Sequence, residues 1–557
     1  MADSNYWSDR YWPRMMKQRL SRRRLIQLSA LGAAGAAGAA YLGCGGEDKK
    51  DGSTPSAGKT VAPVGTPTRG GTFTMPLGAA FSTMDPAYFS LNGDKFIYNI
   101  YDAPQTGDLD QDKNMILVPV LAESWEVIDG WHFTMHWRKD VKFQDGTDFN
   151  SAAIKYHFDR IGNPANRSSH LATLKQFDRL ENSDDYTTTI YVAKENSTLL
   201  NALNYWMTSI PSPTAVEKWG NDYQSHPVGS GPFMLKRQEP GALYEFERNP
   251  NYWRKDEPYL DGFKIRIIPD KAVAAGALKA GEIEYAEQGE LDVSDIATFQ
   301  RDDNFEVVVA GASWLGTIFI NKKREPGNNI HLRKAISYAI NREEFIAKYN
   351  GLAYITPGPL PKQSSYANPD EPDPVYDPEK AKEELKLAGY EDGLTIKVAA
   401  MNDANSISDM ELLQAQLASV GIRAEAEFVA VTVVGLRISQ ADYDFAFGPW
   451  PCANPGDIEY AQAMVYASTG FFNNGATSDP EIDRLVEQTW YEADANKRKE
   501  TFWKVMRIVN ENAYMVYSVA GPEIRVIRKN LNGYIPMSEP GGFGTEKQFL
   551  RFWLGKA

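Results

Sequence analysis

Apolar and polar residues alternate through much of the first half of the chain, and this pattern predicts antiparallel β-strands. Two alternating runs flank Asp129-Gly130, and a tight Asp-Gly turn between such runs is typical of a β-hairpin. Residues 186–192 alternate in the same way. Between them, Asn150 is a suitable N-cap for a helix whose apolar residues recur at helical spacing, namely Ile154, Phe158 and Ile161.

In the second half of the chain, helical periodicity alternates with strand periodicity. One helix is predicted to begin at Asp377, with Pro378 in its first position, and to end at Gly389. Another ends at Gly421 and leads directly into an alternating strand, residues 422–428. The same order recurs near the C-terminus, with a helix near residues 492–512 and an apolar strand over residues 514–519. This rhythm of helices and strands predicts α/β architecture.

Residues 1–44 have the pattern of an export signal. Basic residues come first, residues 25–42 carry no charge, and the sequence after them is mostly Gly, Ser, Thr, Pro, Lys and Asp. The stretch 21–25 (SRRRL) resembles a twin-arginine export motif, which is an address read by a receptor. We therefore exclude residues 1–44 from the fold and expect residues 45–69 to form a flexible linker.

Cys44 stands where the apolar stretch gives way to charged sequence. With the preceding Leu42-Gly43 it resembles a bacterial lipobox, although Tyr41 stands where the family usually has an aliphatic residue. The resemblance implies that Cys44 becomes the lipid-modified first residue. The alternative is an uncleaved transmembrane anchor over residues 25–42, which approach the roughly 20 residues that span a bilayer. Both interpretations place the rest of the chain in the periplasm or on the outer face of the cytoplasmic membrane.

Composition narrows the classes of function. The chain has 557 residues, which suggests two or more domains, and a net charge of −14, which argues against nucleic acid as a partner. With two cysteines and six histidines, a zinc cluster is not expected. His132 and His136 are four residues apart in a predicted strand, which separates them by roughly 13 Å, too far to share one ion. We therefore expect no metal and no cofactor.

Motifs for catalysis are missing from the sequence. It has neither a Gly-rich phosphate loop followed by Lys and Ser or Thr nor a Gly-x-Ser-x-Gly nucleophile turn. Carboxylates are abundant, so a pair of them could serve a glycosidase-like mechanism, but no motif marks such a pair. We expect a protein that is not an enzyme.

A series of short motifs resembles the extracellular solute-binding proteins of family 5, the dipeptide, oligopeptide and nickel-type receptors of ABC importers. The motifs appear in the family's order over nearly the whole mature chain. They are residues 121–127 (LAESWEV), 141–146 (VKFQDG), 227–233 (PVGSGPF), 248–253 (RNPNYW), 332–342 (LRKAISYAINR), 376–381 (YDPEKA) and 387–390 (LAGY).

The resemblance implies a two-lobed α/β fold of the type II periplasmic-binding-protein class, with a hinge and a ligand cleft between the lobes. It implies that lobe 1 comprises residues 70–313 and 520–557, with an extra subdomain near residues 106–227, and that lobe 2 comprises residues 314–519. The chain would cross between the lobes near residues 314–321 and 514–522. Pockets at such domain boundaries are common ligand sites, and hinge closure then buries the ligand.

The resemblance also implies the ligand contacts. Six residues are candidates to line the cleft: Phe81, Gln288, Trp314, Trp450, Asn454 and Asp457. Peptide-binding members place an aspartate shortly after a tryptophan that matches Trp450, whereas this chain has Ala453 or Asn454 at that point. Asn454 cannot form an ion pair with a ligand ammonium group, although Asp457 could replace the aspartate. Uncharged or sugar-like ligands stacked on Trp450 therefore remain candidates beside peptides.

These inferences predict a monomeric lipoprotein that captures a small solute, such as a peptide or a sugar, and delivers it to an ABC permease in the membrane. Two alternatives remain open: a secreted hydrolase that uses carboxylates, and a ligand sensor that signals to a membrane receptor.

Overall fold

The computed structural model describes most of the chain from residue 65 onward. The described residues are 65–88, 93–109, 115–128, 131–168, 170, 174, 177–192, 208–360, 362, 364, 366–451, 465–470, 472–473, 476–492, 494–535 and 546–555. The predicted export signal, Cys44, the turn at Asp129-Gly130, Asn454 and Asp457 lie outside them.

The elements as far as residue 320 are, in chain order, β1 (Thr72–Leu77), α1 (Asp94–Ile100), β2 (Gln105–Leu109), β3 (Met115–Pro119), β4 (Ala122–Val127), β5 (His132–Trp137), α2 (Ser151–Gly162), β6 (Phe177–Asp184), β7 (Thr187–Val192), α3 (Pro213–Trp219), β8 (Phe233–Glu239), β9 (Leu243–Arg248), β10 (Gly262–Ile267), α4 (Lys271–Ala280), β11 (Tyr285–Glu287), α5 (Val293–Phe299) and β12 (Phe305–Ile320).

The remaining elements are α6 (Ile330–Ala339), α7 (Arg342–Lys348), α8 (Pro378–Leu387), β13 (Leu394–Met401), α9 (Ala404–Ser419), β14 (Ile422–Val429), α10 (Val431–Ser439), β15 (Phe445–Pro451), α11 (Pro480–Tyr491), α12 (Ala495–Glu511), β16 (Met515–Arg528), β17 (Leu531–Asn532) and β18 (Trp553–Leu554). Short 3-10 helices lie at Pro164–Asn166, Gly220–Ser225, Gln288–Glu290 and Glu546–Arg551.

Three sheets of four or more strands organise the described part of the chain. One has the strand order β1-β10-β9-β8, and another has the order β11-β16-β12-β15-β13-β14. A third sheet, β4-β5-β7-β6, is antiparallel throughout, whereas β13 pairs with β14 and β15 in parallel. Strands joined by helices and paired in parallel are typical of α/β architecture.

Separate apolar cores accompany these sheets. Phe73, Phe96 and Phe263 belong to a core formed by β1, α1 and β10. Phe73 stacks on Phe263, and Phe96 makes an edge-on contact with Phe81. The sheet β4–β7 packs against α2 around Phe133 and Ile154. A further core lies on β12–β15 with helices α6, α8 and α9. The fold thus contains several units that bury their own apolar side chains.

The predicted helix N-caps and the glycines predicted to end helices are confirmed in the structure. The side chain of Asn150 accepts hydrogen bonds from two N–H groups of α2, and that of Asp377 accepts one from Lys380 in α8. Gly389 and Gly421 adopt positive φ angles of +87° and +95° after helices α8 and α9. Side chains there would be strained, and glycine avoids this cost.

The predicted strand over residues 514–519 is wrong in its extent. The structure has a longer strand, β16, which continues from Met515 to Arg528 through Gly521 and Pro522. The apolar run stops there, but β16 keeps pairing with β12 as far as Phe305 opposite Arg528. Pairing with another strand therefore decides where this strand ends.

Among the helices of the described ranges, none has both the length and the apolar character needed to cross a membrane.

Candidate ligand-binding site

Strands β12 and β16 are neighbours in the six-stranded sheet, where they lie between β11 at one edge and the strands β15, β13 and β14. Together they pair with β11 on one side and with β15 on the other. The register between them shifts at three places between Ala310 and Thr317. Such irregularities bend and twist a strand pair. The irregular segment lies between the part of these strands that packs in the core around β1 and β10 and the part that packs in the core around β13 and β15.

Trp314 lies within this irregular segment of β12. Its indole packs against Tyr349, with ring centroids 5.0 Å apart. On β16, a Cβ atom at Gly521 would lie 1.9 Å from the indole of Trp314. Only glycine can stand at position 521 while the ring keeps this place, so the two strands are matched in shape at the bend.

Trp450 lies on the neighbouring strand β15, and its ring is half-buried. It makes edge-on contacts with Phe319, at 5.1 Å between centroids, and with Phe472, at 4.5 Å. A recess beside these two rings contains Lys322, whose ammonium group donates a hydrogen bond of 2.8 Å to the carbonyl of Tyr514. Burial, with the nearby charge of Arg333, lowers the pKa of Lys322.

The two tryptophans point to opposite faces of the sheet. Trp450 is directly opposite Leu315 in the register, so these two side chains share one face. Trp314 precedes Leu315 by one residue and therefore points to the other face. The structure does not bring both indoles onto one face, and a single small ligand can contact both only around the end of β15.

Phe81 and the turn containing Gln288 are brought together by α1. Phe81 follows β1 and packs against Phe96 of α1, with ring centroids 4.9 Å apart. The residue before Phe96, Lys95, pairs with Glu287 at 2.9 Å. Gln288 is the next residue in the chain and begins a 3-10 turn. Both predicted ligand residues therefore lie near the N-terminal end of α1.

A network of buried charges lies beside this turn. Arg525 of β16 lies 3.6 Å from Glu287 and 2.7 Å from Glu523, and the hydroxyl of Tyr285 donates to Glu287 at 3.1 Å. Burial opposes the ionisation of Glu287, but the charges of Arg525 and Lys95 outweigh it and lower its pKa to about 2. Glu287 is therefore a carboxylate at any physiological pH.

Glu290 ends the same turn in a different electrostatic environment. Burial and the nearby charge of Glu287 raise the pKa of Glu290 to about 7, against the opposing effects of Lys95, Lys271 and a hydrogen bond from the N–H of Gly78. Gly78 lies in the loop that leads to Phe81, and a Cβ atom there would lie 3.2 Å from the carboxylate. The wall of the candidate site thus contains a carboxyl group that titrates near neutrality.

The charged network was not predicted from the sequence. Glu523 and Arg525 alternate with Ile524 and Val526 in β16, and this alternation is the signal that could have indicated a polar face. Its partners, Lys95 and Glu287, are far away in the sequence, so the pairing is visible only in the fold.

In the described ranges, no three His, Cys, Asp or Glu side chains are grouped so that they could hold a metal ion. His132 and His136 occupy the same, partly exposed face of β5, where Phe133 and Met135 are buried on the other face.

Known structures define the class of this fold. The ABC transporter-associated periplasmic binding protein DppA from Helicobacter pylori, in complex with the peptide STSA, aligns with a TM-score of 0.80 at 24% identity, covering 88% of this chain and 99% of that one. The binding protein AgaA from A. tumefaciens R10, in complex with agropinic acid, aligns with a TM-score of 0.78 at 22% identity, covering 87% and 99%. The chain therefore has the two-lobed α/β fold of the type II periplasmic binding proteins.

Sequence comparison identifies the family. Residues 117–472 match the model of the bacterial extracellular solute-binding proteins, family 5 middle region. The glutathione-binding protein GsiB of Escherichia coli O157:H7 is 30% identical over 478 residues, which cover 84% of this chain and 92% of that protein. GsiB of Salmonella typhi is similar to the same degree. This chain belongs to the family 5 bacterial extracellular solute-binding proteins.

Proposed function

We propose that this protein captures a short peptide or peptide-like solute outside the cytoplasm and delivers it to an ABC import permease. The similarity to GsiB over 92% of that protein's length carries the proposal, because GsiB is named for binding glutathione, a tripeptide. The fold is also similar to that of DppA, which is described as ABC transporter-associated and was solved with a peptide.

The proposed cleft lies between a lobe of residues 70–313 and 520–557, which has an extra subdomain near residues 106–227, and a lobe of residues 314–519. The irregular pairing of β12 with β16 supports a hinge between these lobes. Phe81 and Gln288 would contact the ligand from the first lobe. Trp314 would do so at the crossing, and Trp450, Asn454 and Asp457 from the second lobe.

The charged wall supports a ligand with polar or charged groups. Glu287 and Arg525 lie beside the turn that contains Gln288, and Glu290 ends that turn, so charged groups of both signs lie near the place proposed for a zwitterionic peptide. A neutral sugar stacked on Trp450 would bring no charged group to pair with these side chains. We therefore favour the peptide class.

We further propose that Cys44 carries a lipid anchor and that residues 45–69 tether a monomeric receptor to the membrane. Tethering raises the local concentration of the receptor at its permease. The motif at residues 21–25 would direct the chain to the twin-arginine export route.

Native mass spectrometry of the purified protein tests this proposal, followed by titration calorimetry with reduced glutathione, the peptide Ser-Thr-Ser-Ala and maltose. We expect binding of a peptide, no binding of maltose, and a higher melting temperature in the presence of the peptide. Gln288→Ala should weaken the binding, whereas Gln300→Ala, at an exposed position after α5, should leave it unchanged.

Three results would overturn parts of the proposal. A sugar retained in the native spectrum would exclude the peptide class. Cleaved peptide after incubation would favour the hydrolase alternative. Cells that bind the labelled peptide through this protein but do not accumulate it would favour the sensor.

A further inference from the structure

An ion pair joins helices α4 and α9, which belong to different cores. The ammonium nitrogen of Lys271, the first residue of α4, lies 3.9 Å from a carboxylate oxygen of Asp403, the N-cap of α9. The apolar face of α4 packs with Ile524 and Val526 of β16, whereas that of α9 packs in the core of β13–β15. The pair therefore spans the boundary between the proposed lobes.

Each partner also faces charged groups of its own lobe. Lys271 lies close enough to Glu290 to lower the pKa of that carboxyl group. Asp403 lies near Asp409 of α9, which accepts a hydrogen bond of 2.7 Å from Tyr349 and pairs with Lys348. Tyr349 in turn contacts Trp314. Charged and aromatic groups thus lie on both sides of the lobe boundary, between the turn of Gln288 and Trp314.

The exposure of the two partners suits a contact that forms and breaks. The side chain of Lys271 is 14% exposed and that of Asp403 is 43% exposed. Asp403 is already part-exposed, and separation of the lobes would let water reach the charge of Lys271 as well. When the lobes meet, two carboxyl groups lie near the ammonium group of Lys271, namely those of Glu290 and Asp403.

We propose that Lys271 and Asp403 form a latch between the lobes, which favours the closed cleft and so contributes to ligand affinity without touching the ligand. This inference rests on the proposed function, because it assumes that ligand binding and lobe closure are linked. The two residues act as positioning residues for closure.

Asp403→Asn tests the latch with little disturbance of the helix. Asparagine is as good an N-cap as aspartate, so the variant removes the charge and keeps the cap of α9. We expect about two- to fivefold weaker binding of reduced glutathione or Ser-Thr-Ser-Ala at low salt, the effect of a part-exposed ion pair. The difference from the wild type should shrink in 0.5 M NaCl, which screens exposed charges.

The matched control is Asp494→Asn, which makes the same change at the N-cap of α12. It should bind as the wild type does at both salt concentrations. If Asp403→Asn also binds the peptide with wild-type affinity at low salt, the latch is overturned while the proposed function stands.

A second measurement needs no ligand. In a chain whose Cys44 and Cys452 are changed to serine, the pair Lys271→Cys and Asp403→Cys should react with a short bifunctional thiol reagent to give an internal crosslink. The pair Lys271→Cys and Asp494→Cys is the control. If neither peptide binds the wild type, the ligand assignment fails, and the crosslink then decides alone: a yield above the control supports the latch, and a yield equal to it overturns the latch.

Discussion

At the scale of single residues, Glu290 gives the stability of this protein a pH dependence of known sign. Its pKa is raised from 4.5 to about 7 in the folded chain, so the folded state binds this proton more tightly than the unfolded state does. The free energy of unfolding should therefore fall as the pH rises from about 4.5 to 7. The loss is complete above the folded-state pKa.

Glu290→Gln should remove this loss. At pH 8 we expect the variant to be more stable than the wild type by about 1–2 kcal/mol, after allowance for the partial exposure of the side chain. At pH 4 the two should unfold alike. Denaturant melts at both pH values give the comparison, with Glu379→Gln on the exposed face of α8 as a control. A variant less stable than the wild type at pH 8 would contradict the raised pKa.

Trp450 allows its two possible roles to be separated. Its ring is packed between Phe319 and Phe472 yet remains half-buried. We expect Trp450→Ala to weaken peptide binding by about 2–4 kcal/mol, if the free face of the ring stacks on the ligand. The lost contacts with both phenylalanines should also lower the melting temperature, though less than for a fully buried ring.

Calorimetry and a melting curve on the same variant measure both effects, and Trp450→Phe, which keeps an aromatic ring, should show smaller changes in each. Unchanged affinity with a strongly lowered melting temperature would mean that Trp450 is only a core residue.

At the scale of elements, the pairing of the crossing strands β12 and β16 requires that the ring of Trp314 fits against Gly521. A methyl group at position 521 would overlap the indole, since its carbon would lie 1.9 Å from the ring. Gly521→Ala should therefore force the ring or the strand to move and destabilise the fold by about 1–3 kcal/mol.

The double variant Gly521→Ala with Trp314→Ala should lose less stability than the sum of the single changes, because the second change removes the overlap. Melting curves of the four proteins complete this cycle. Additive losses would show that the two residues do not compete for space.

At the scale of the whole molecule, export determines where the receptor works. The motif at residues 21–25 predicts that Arg22→Lys together with Arg23→Lys blocks export by the twin-arginine route and leaves folding intact. Fractionation of cells, with circular dichroism of the retained protein, checks both parts. Changing Arg10 and Arg14 to lysine makes the same two Arg-to-Lys substitutions outside the motif and is the control. Normal export of the first variant would indicate the general secretory route.

The general fold of the molecule could be predicted from the sequence because its signals are local. The N-caps Asn150 and Asp377 and the glycines at 389 and 421 act within a few residues of their own positions. Alternation likewise predicts the hairpin β4–β5, whose strands are adjacent in the chain. Ordered motifs then pointed to the family that the comparison with known proteins identifies.

The candidate site could be predicted only in part. The sequence by itself determined the type and order of the helices and strands, since capping and periodicity depend on neighbouring residues. Only the tertiary structure decided that Trp314 and Trp450 point to opposite faces, because this depends on the register between β12 and β15. It also decided that Lys95, Glu287 and Arg525 meet, and that Lys271 reaches Asp403. Such contacts join side chains that are far apart in the chain, and the stability of each depends on burial and charge that the fold alone supplies.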